Sequence, residues 1–239
     1  MSLIKNIRKT LRRRGWDIHR LPVPNLTLRD LEFDLPFLVP GKPATIIDVG
    51  ANKGQTIDML RRALPNPSII SFEPNPKMSE LLQQKYAASG VKVENSAVGS
   101  ITGTVDFAIT ENDELNSMLE LSRAAENPFA GTKTNLRMQV PITTLEQYCK
   151  KLKIEHIDLL KSDTQGYDLE VLKGAGAMLA AKRIEVIIVE VNFIKLYENQ
   201  CDFGQIERWL AGLDYRLLAF YEVVREQRCM RWATACFCR

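Results

Sequence analysis

Residues 46–54 read Ile46-Ile47-Asp48-Val49-Gly50-Ala51-Asn52-Lys53-Gly54, an apolar run that stops at closely spaced glycines. The run Thr45–Val49 suits a strand buried on both faces, and Gln55–Leu64 carries helical spacing. A strand that turns through glycine directly into a helix belongs to a sheet covered by helices, because parallel strands require crossovers. Ligands in such sheets bind beyond the carboxyl ends of the strands. Gly50 and Gly54 let the backbone turn there and come close to a ligand with no Cβ in the way.

The alternation continues along the chain. Ser68–Phe72 is expected as a second buried strand, Pro76–Ala88 as a helix with proline in its first turn, and Val91–Val98 as a third strand. Gly103–Ile109 alternates in polarity and reads as an antiparallel addition. Residues 110–135 are polar and aperiodic, the pattern of a lid or binding loop. Arg137–Ile142 is a further strand, after which Thr143 and Glu146 have the form of a capping box opening a helix through Leu152. Then come a strand His156–Ser162, a helical region Leu169–Ala181 interrupted near Gly174 and Gly176, and Ile184–Val189, the most apolar strand. A helix over Gln205–Ala211, ended by Gly212, precedes two consecutive strands, Tyr215–Val224 and Arg228–Phe237. The expected fold is α/β: a Rossmann-like, mostly parallel doubly wound sheet with an antiparallel C-terminal edge. One domain over residues 44–239 accommodates it.

Residues 1–43 read as a basic N-terminal helix and a connecting segment. Residues 1–20 hold seven basic residues against Asp17, a net +6, which leaves the rest of the chain at −3. A mildly acidic body excludes general nucleic-acid binding as the meaning of the net +3. Leu3, Ile4, Ile7, Leu11 and Ile18 fall roughly on one helical face, so the segment either lies on an anionic membrane surface or packs on the domain. Five prolines make residues 21–43 an irregular connection. Basic residues interrupt every N-terminal apolar run, and no run approaches the ~20 residues of a membrane span. The expected location is the cytoplasm, with peripheral membrane contact through residues 1–20 as the added possibility. Five scattered cysteines without a CxxC pair make neither a disulfide framework nor a zinc site.

The chemistry concentrates at strand ends. A pyrophosphate site favours G-x-G-x-x-G with no carboxylate facing it, whereas here Asp48 precedes Gly50, Asn52 and Gly54. Asp48 is expected to accept from a cationic amino group, which suits the zwitterionic methionine end of S-adenosylmethionine. Glu73 ends the second strand nineteen residues after Gly54, placed to accept from both hydroxyls of a ribose. Asn75 follows it, and Asn95, Ser96 and Ala97 end the third strand beside an adenine.

Five segments in order resemble the FkbM family of methyltransferases: Asp48-Val-Gly-Ala-Asn-x-Gly54, Phe72-Glu-Pro-Asn-Pro76, Asn95-x-Ala-Val-Gly99, Leu160-Lys-x-Asp163-x-x-Gly166 and Val171-Leu-Lys-Gly174. They run through about residues 45–220. The resemblance implies a class I methyltransferase fold and methyl transfer to a hydroxyl oxygen. The implied acceptor is a sugar of a glycan, glycolipid or nucleotide-sugar, or alternatively a polyketide or other small natural product. In Asp163-Thr-Gln165-Gly-Tyr167 the chain departs from the commoner pattern, which has glutamate at 165 and alanine at 167. The departure falls on the acceptor side. A dehydrogenase and a non-enzymatic cofactor-binding module are the competing classes.

Asp163 and Glu190 end neighbouring buried strands, which lie about 4.8 Å apart, and Asn192 follows on the same side. Three readings stand. Either acid is a general base; the two acids with Asn192 hold Mg²⁺; or the acids bind backbone amides or the cofactor's amine. Asp163, lying within a family motif, is expected to be the more sensitive of the two. Asn116, Ser117, Tyr167 and Asn192 are expected acceptor contacts. His156 precedes its strand and so lies at the wrong end of the sheet, and His19 lies on the basic N-terminal segment.

Overall fold

A computed structural model describes residues 25–40 and 44–239. Its strands are β1 (Thr45–Val49), β2 (Ser68–Phe72), β3 (Lys92–Glu94), β4 (Ala97–Val98), β5 (Gly103–Thr110), β6 (Thr134–Thr143), β7 (Ile157–Ser162), β8 (Ile184–Asn192), β9 (Arg216–Glu226) and β10 (Cys229–Cys238). Seven form the main sheet in the order β3-β2-β1-β7-β8-β10-β9. Pairs from β3 through β8 are parallel, and β10 alone runs against its neighbours β8 and β9. The order reverses between β1 and β7, which makes the crevice beyond their carboxyl ends the natural ligand site.

Side chains along a strand alternate between faces, and the core divides accordingly. Ile47, Leu160 and Ile187 pack into one buried cluster, while Ile46, Leu159 and Val186 pack into the other. Helix α1 (Leu31–Leu38), α2 (Gln55–Ala63) and α3 (Pro76–Tyr86) cover the second face. The first face is covered by α4 (Leu145–Leu152), α5 (Asp168–Lys173), α6 (Gly176–Ala180) and α7 (Phe203–Ala211). Both faces are therefore shielded, as the continuous apolar runs of β1, β7 and β8 require.

Several local expectations are corrected. The stretch Val91–Val98 is not one strand, because Asn95 and Ser96 break it into β3 of the main sheet and β4 of a separate three-stranded sheet, β4-β6-β5. Thr144 rather than Thr143 caps α4, its side chain accepting from the Gln147 amide, while Thr143 ends β6. A capping box does exist, but at α7, where Asp202 and Gln205 satisfy each other's backbone amides. That helix ends at Ala211 with Gly212 as its C-cap, as expected, although Gly212 keeps an ordinary helical φ of −62° and the left-handed residue is Asp214 at +57°.

The connection before β1 also contains the helix α1, with Pro36 inside it. Its Asp34 is fully buried and accepts from the amides of Thr27 and Leu28, both at 2.7 Å, and from the Tyr221 hydroxyl at 2.9 Å. A buried carboxylate with three donors is compensated, and it ties α1 to β9. The expected helix within residues 1–20 and His19 lie outside the described residues. Among the described residues, no helix is long and apolar enough to cross a membrane.

Candidate functional site

A cavity of about 540 Å³ opens beyond the carboxyl ends of β1, β2, β7 and β8. That is within the ~300–1,000 Å³ of small-molecule sites. One half is built on backbone. Gly50, at φ +84°, donates its amide to the Phe72 carbonyl, and a Cβ there would meet the Asp163 carbonyl oxygen at 1.9 Å. Only glycine lets β1 and β7 close together at this point. Glu73 is buried and accepts from the amides of Asn52 at 2.8 Å and Asn75 at 2.9 Å. Burial outweighs these bonds and pushes its pKa up to about 7. Asn75 also caps α3, accepting from the Lys77 amide.

The other half is built on charged side chains. Lys161, near the end of β7, sits 3.4 Å from Asp48 and 3.6 Å from Asp163, and donates to the Gly50 carbonyl at 3.2 Å. Burial alone depresses an ammonium, but Asp163, Asp48 and Glu190 outweigh it and hold the Lys161 pKa above its ordinary value. The Gln165 amide nitrogen donates to Asp163 at 2.8 Å and to Glu190 at 2.9 Å. The Tyr197 hydroxyl donates to the Gln165 amide oxygen at 2.9 Å, which fixes the amide's orientation. Glu190 is raised well above the ordinary carboxyl value, first by burial and then by the charge of Asp163.

Of the residues expected at the cofactor, Gly50, Asn52, Glu73, Asn75, Ser96, Ala97 and Asp163 line the cavity. Asp48 does not line it. Its side chain is fully buried, accepts from the Ser71 hydroxyl at 2.6 Å, and faces Lys161. The cation expected beside Asp48 is thus supplied by the chain itself. Asn95 stands behind the cavity wall and donates to the Glu73 and Pro74 carbonyls. Gly54, at φ +84°, leads into α2, and Tyr86 donates to its carbonyl.

On the acceptor side Asn116 lines the cavity and braces β5 by accepting from the Thr110 amide. Ser117 is buried behind it and donates to the Gln165 carbonyl. Tyr167 packs with the small sheet, close against Gly99. The segment 110–135 supplies a wall through Asp113, Glu114, Asn116 and Met118. His156 lies at the opposite end of the sheet, within 4 Å of Asp158 and Glu185. Sequence reasoning missed Tyr197, the bridge through Gln165, the pairing role of Lys161, and Leu31 and Glu32 of α1, which also line the cavity. A lysine directly after the apolar pair Leu159-Leu160 of a buried strand was the available signal for Lys161, and the loop holding Tyr197 offered none.

The metal reading fails on the donor set. Asn192 lines a second cavity with Phe193 and Tyr197 and is not among the residues that line the chamber of Asp163 and Glu190. Between the two acids lies a donor NH₂ group, with the Lys161 ammonium on the other side of Asp163. Mg²⁺ requires oxygen ligands, and here it would face N–H groups and a like charge. No group of three His, Cys, Asp or Glu side chains placed to hold a metal ion occurs among the described residues. S-adenosylmethionine fits better: bare Gly50 backbone, the Glu73 carboxylate and the small Ser96 and Ala97 face one cavity.

The chain is similar in sequence to known methyltransferases. The methyltransferase FkbM domain family matches residues 48–217. Methyltransferase sdnD of Sordaria araneosa is 31% identical over 160 residues, 57% of this chain and 61% of that protein. The 2-O-methyltransferase NoeI of Sinorhizobium fredii is 24% identical over 162 residues, 65% of this chain and 66% of that protein. The chain thus spans rather less than two thirds of the length of these relatives. Among solved structures, an rRNA methylase from Streptococcus thermophilus aligns with TM-score 0.48 at 11% identity, covering 94% of this chain and 99% of that one.

Proposed function

The chain belongs to the methyltransferase FkbM domain family, and from that premise we propose that it methylates a sugar hydroxyl with S-adenosylmethionine as donor. The observation that carries the reading is the shared cavity: Glu73, at the end of β2, and Glu190, in β8, line the same chamber. When bound, S-adenosylmethionine supplies an electrophilic methyl group on a sulfonium. Glu73, Asn52 and Asn75 form the ribose end of its site, with the bare Gly50 backbone beside them.

The remaining task is to place the hydroxyl and take its proton. Placement at near-attack distance accounts for ~7–11 kcal/mol of such a barrier. Glu190 is the base in this reading. It lines the cavity, one of its carboxyl oxygens accepts from Gln165, and burial together with the neighbouring Asp163 raises its pKa, which makes its carboxylate the more basic of the pair. Asp163 is instead held by Lys161 and Gln165, and its charge keeps the Glu190 carboxyl basic.

Oxygen as the acceptor atom is supported by the relative named as a 2-O-methyltransferase. A polyhydroxylated acceptor suits the polar wall of Asp113, Glu114, Asn116 and Gln165. Incubation with isotopically labelled S-adenosylmethionine and a panel of glycans and nucleotide-sugars, read by mass spectrometry, tests this. Labelled methyl on a sugar oxygen is expected; label only on non-sugar acceptors refutes the sugar assignment.

A further inference from the structure

Among the described residues, helix α1 presents an apolar surface that the core does not use. Leu31, Leu35 and Val39 pack into the core, while Phe33 and Phe37, one turn apart, are 53% and 48% exposed. Their rings lie 6.1 Å apart and form one patch. The patch is rigid, because Asp30 caps the helix and buried Asp34 ties it to Thr27, Leu28 and Tyr221. The same helix presents Leu31 and Glu32 to the cavity, so the patch lies beside its wall.

We propose that α1 docks on an anionic membrane surface, with Phe33 and Phe37 entering the interface and the net +6 of residues 1–20 drawing the chain to it. Two weak signals combine here, as peripheral binding requires. Apolar side chains give affinity for the headgroup boundary, and clustered basic residues give attraction that salt screens. A lipid bilayer, rather than a protein, is the occupant that matches an aromatic pair just downstream of a polybasic stretch. An acceptor carrying a lipid tail would then meet the cavity at the bilayer. That last step rests on the methyl-transfer reading above; the docking does not.

The test uses the full chain and vesicles of phosphatidylcholine, with and without phosphatidylglycerol. Co-sedimentation at low salt is expected only with the anionic vesicles, and should be lost at high salt. Phe33→Ser with Phe37→Ser should weaken it about tenfold or more, since two half-exposed aromatic side chains lose their burial in the interface. Both positions are exposed, so the melting temperature should hold, and Phe33→Trp provides a second readout through a blue-shifted emission on anionic vesicles. Undiminished binding of the double serine variant, or no emission shift in Phe33→Trp, overturns the proposal. So does a concentration-dependent dimer in ultracentrifugation that the serine pair abolishes while vesicles leave the wild type in solution. Vesicle binding with no labelled methyl on any sugar would leave the docking standing and refute only the acceptor.

Discussion

The two halves of the cavity are made of different materials. At β1 and β2 the chain shapes the site with backbone: Gly50 in left-handed geometry, and amides of Asn52 and Asn75 gathered by Glu73. At β7 and β8 it uses coupled side chains: Lys161 among acids, and Gln165 between Asp163 and Glu190. The steric constraint at Gly50 is indifferent to pH, and the one titrating group of this half, Glu73, bears on affinity, while the coupled charges of the other half bear on rate. The first half should therefore fail by misfolding or lost affinity, and the second by altered rate and an altered pH dependence of that rate.

The largest effect is expected at Glu190. Glu190→Gln should lower kcat by ~10²–10⁴-fold, the usual contribution of a positioned base, with S-adenosylhomocysteine affinity within a few-fold. An equal loss in affinity would erase the division between the halves. Because burial and Asp163 raise the Glu190 pKa, wild-type kcat should climb with pH through an inflection above the ordinary carboxyl range. EDTA should leave the activity unchanged, and loss restored by Mg²⁺ would reinstate the metal.

Next in size is Gly50→Ala. Its Cβ would strike the Asp163 carbonyl, which is backbone and cannot swing aside. Strain and overpacking together should destabilise the fold by about 2–4 kcal/mol in denaturant titrations at any pH. Less than about 1 kcal/mol would mean that β1 and β7 are not held as described.

Gln165→Glu tests the charged half more finely. A third carboxylate between Asp163 and Glu190 should move the pH–rate inflection upward by about one unit, and the loss of both amide donors should lower the melting temperature. An unshifted profile would detach Gln165 from the pair. Tyr197→Phe should cost least, about 0.5–1.5 kcal/mol for one hydrogen bond, read by thermal unfolding.

The same contrast governs what the sequence disclosed. Backbone geometry leaves a residue signature, because only glycine fits at Gly50, and the strand–turn–helix around it was legible from period and spacing. The alternation of Ile46 and Ile47 between two cores follows from a period of two. Side-chain networks leave little trace. Tyr197 reaches Gln165 from thirty-two residues away, through a loop with no pattern. Asp48 stood in the right motif, yet its partner is Lys161, a pairing set by the β1–β7 register of Asp48 against Lys161. Asp163, favoured over Glu190 by its motif, proves to be the more heavily compensated of the two acids. Helix α1 was hidden by Pro36 and its flanking prolines, and with it a wall of the cavity.

The central claim is that this cavity takes S-adenosylmethionine with Glu73 at the ribose, and S-adenosylhomocysteine calorimetry across pH tests it most directly. Glu73 has a folded pKa of about 7 against an ordinary 4.5, so it becomes a full acceptor only as pH rises through about 7. In that same window the unliganded fold loses the stability contributed by protonated Glu73. Affinity should therefore increase with pH through about 7. Glu73→Ala should weaken binding by ~1.5–3 kcal/mol at higher pH and flatten the profile. Tight binding of NAD with no heat from S-adenosylhomocysteine, or a Glu73→Ala variant that binds as the wild type does, would contradict the account.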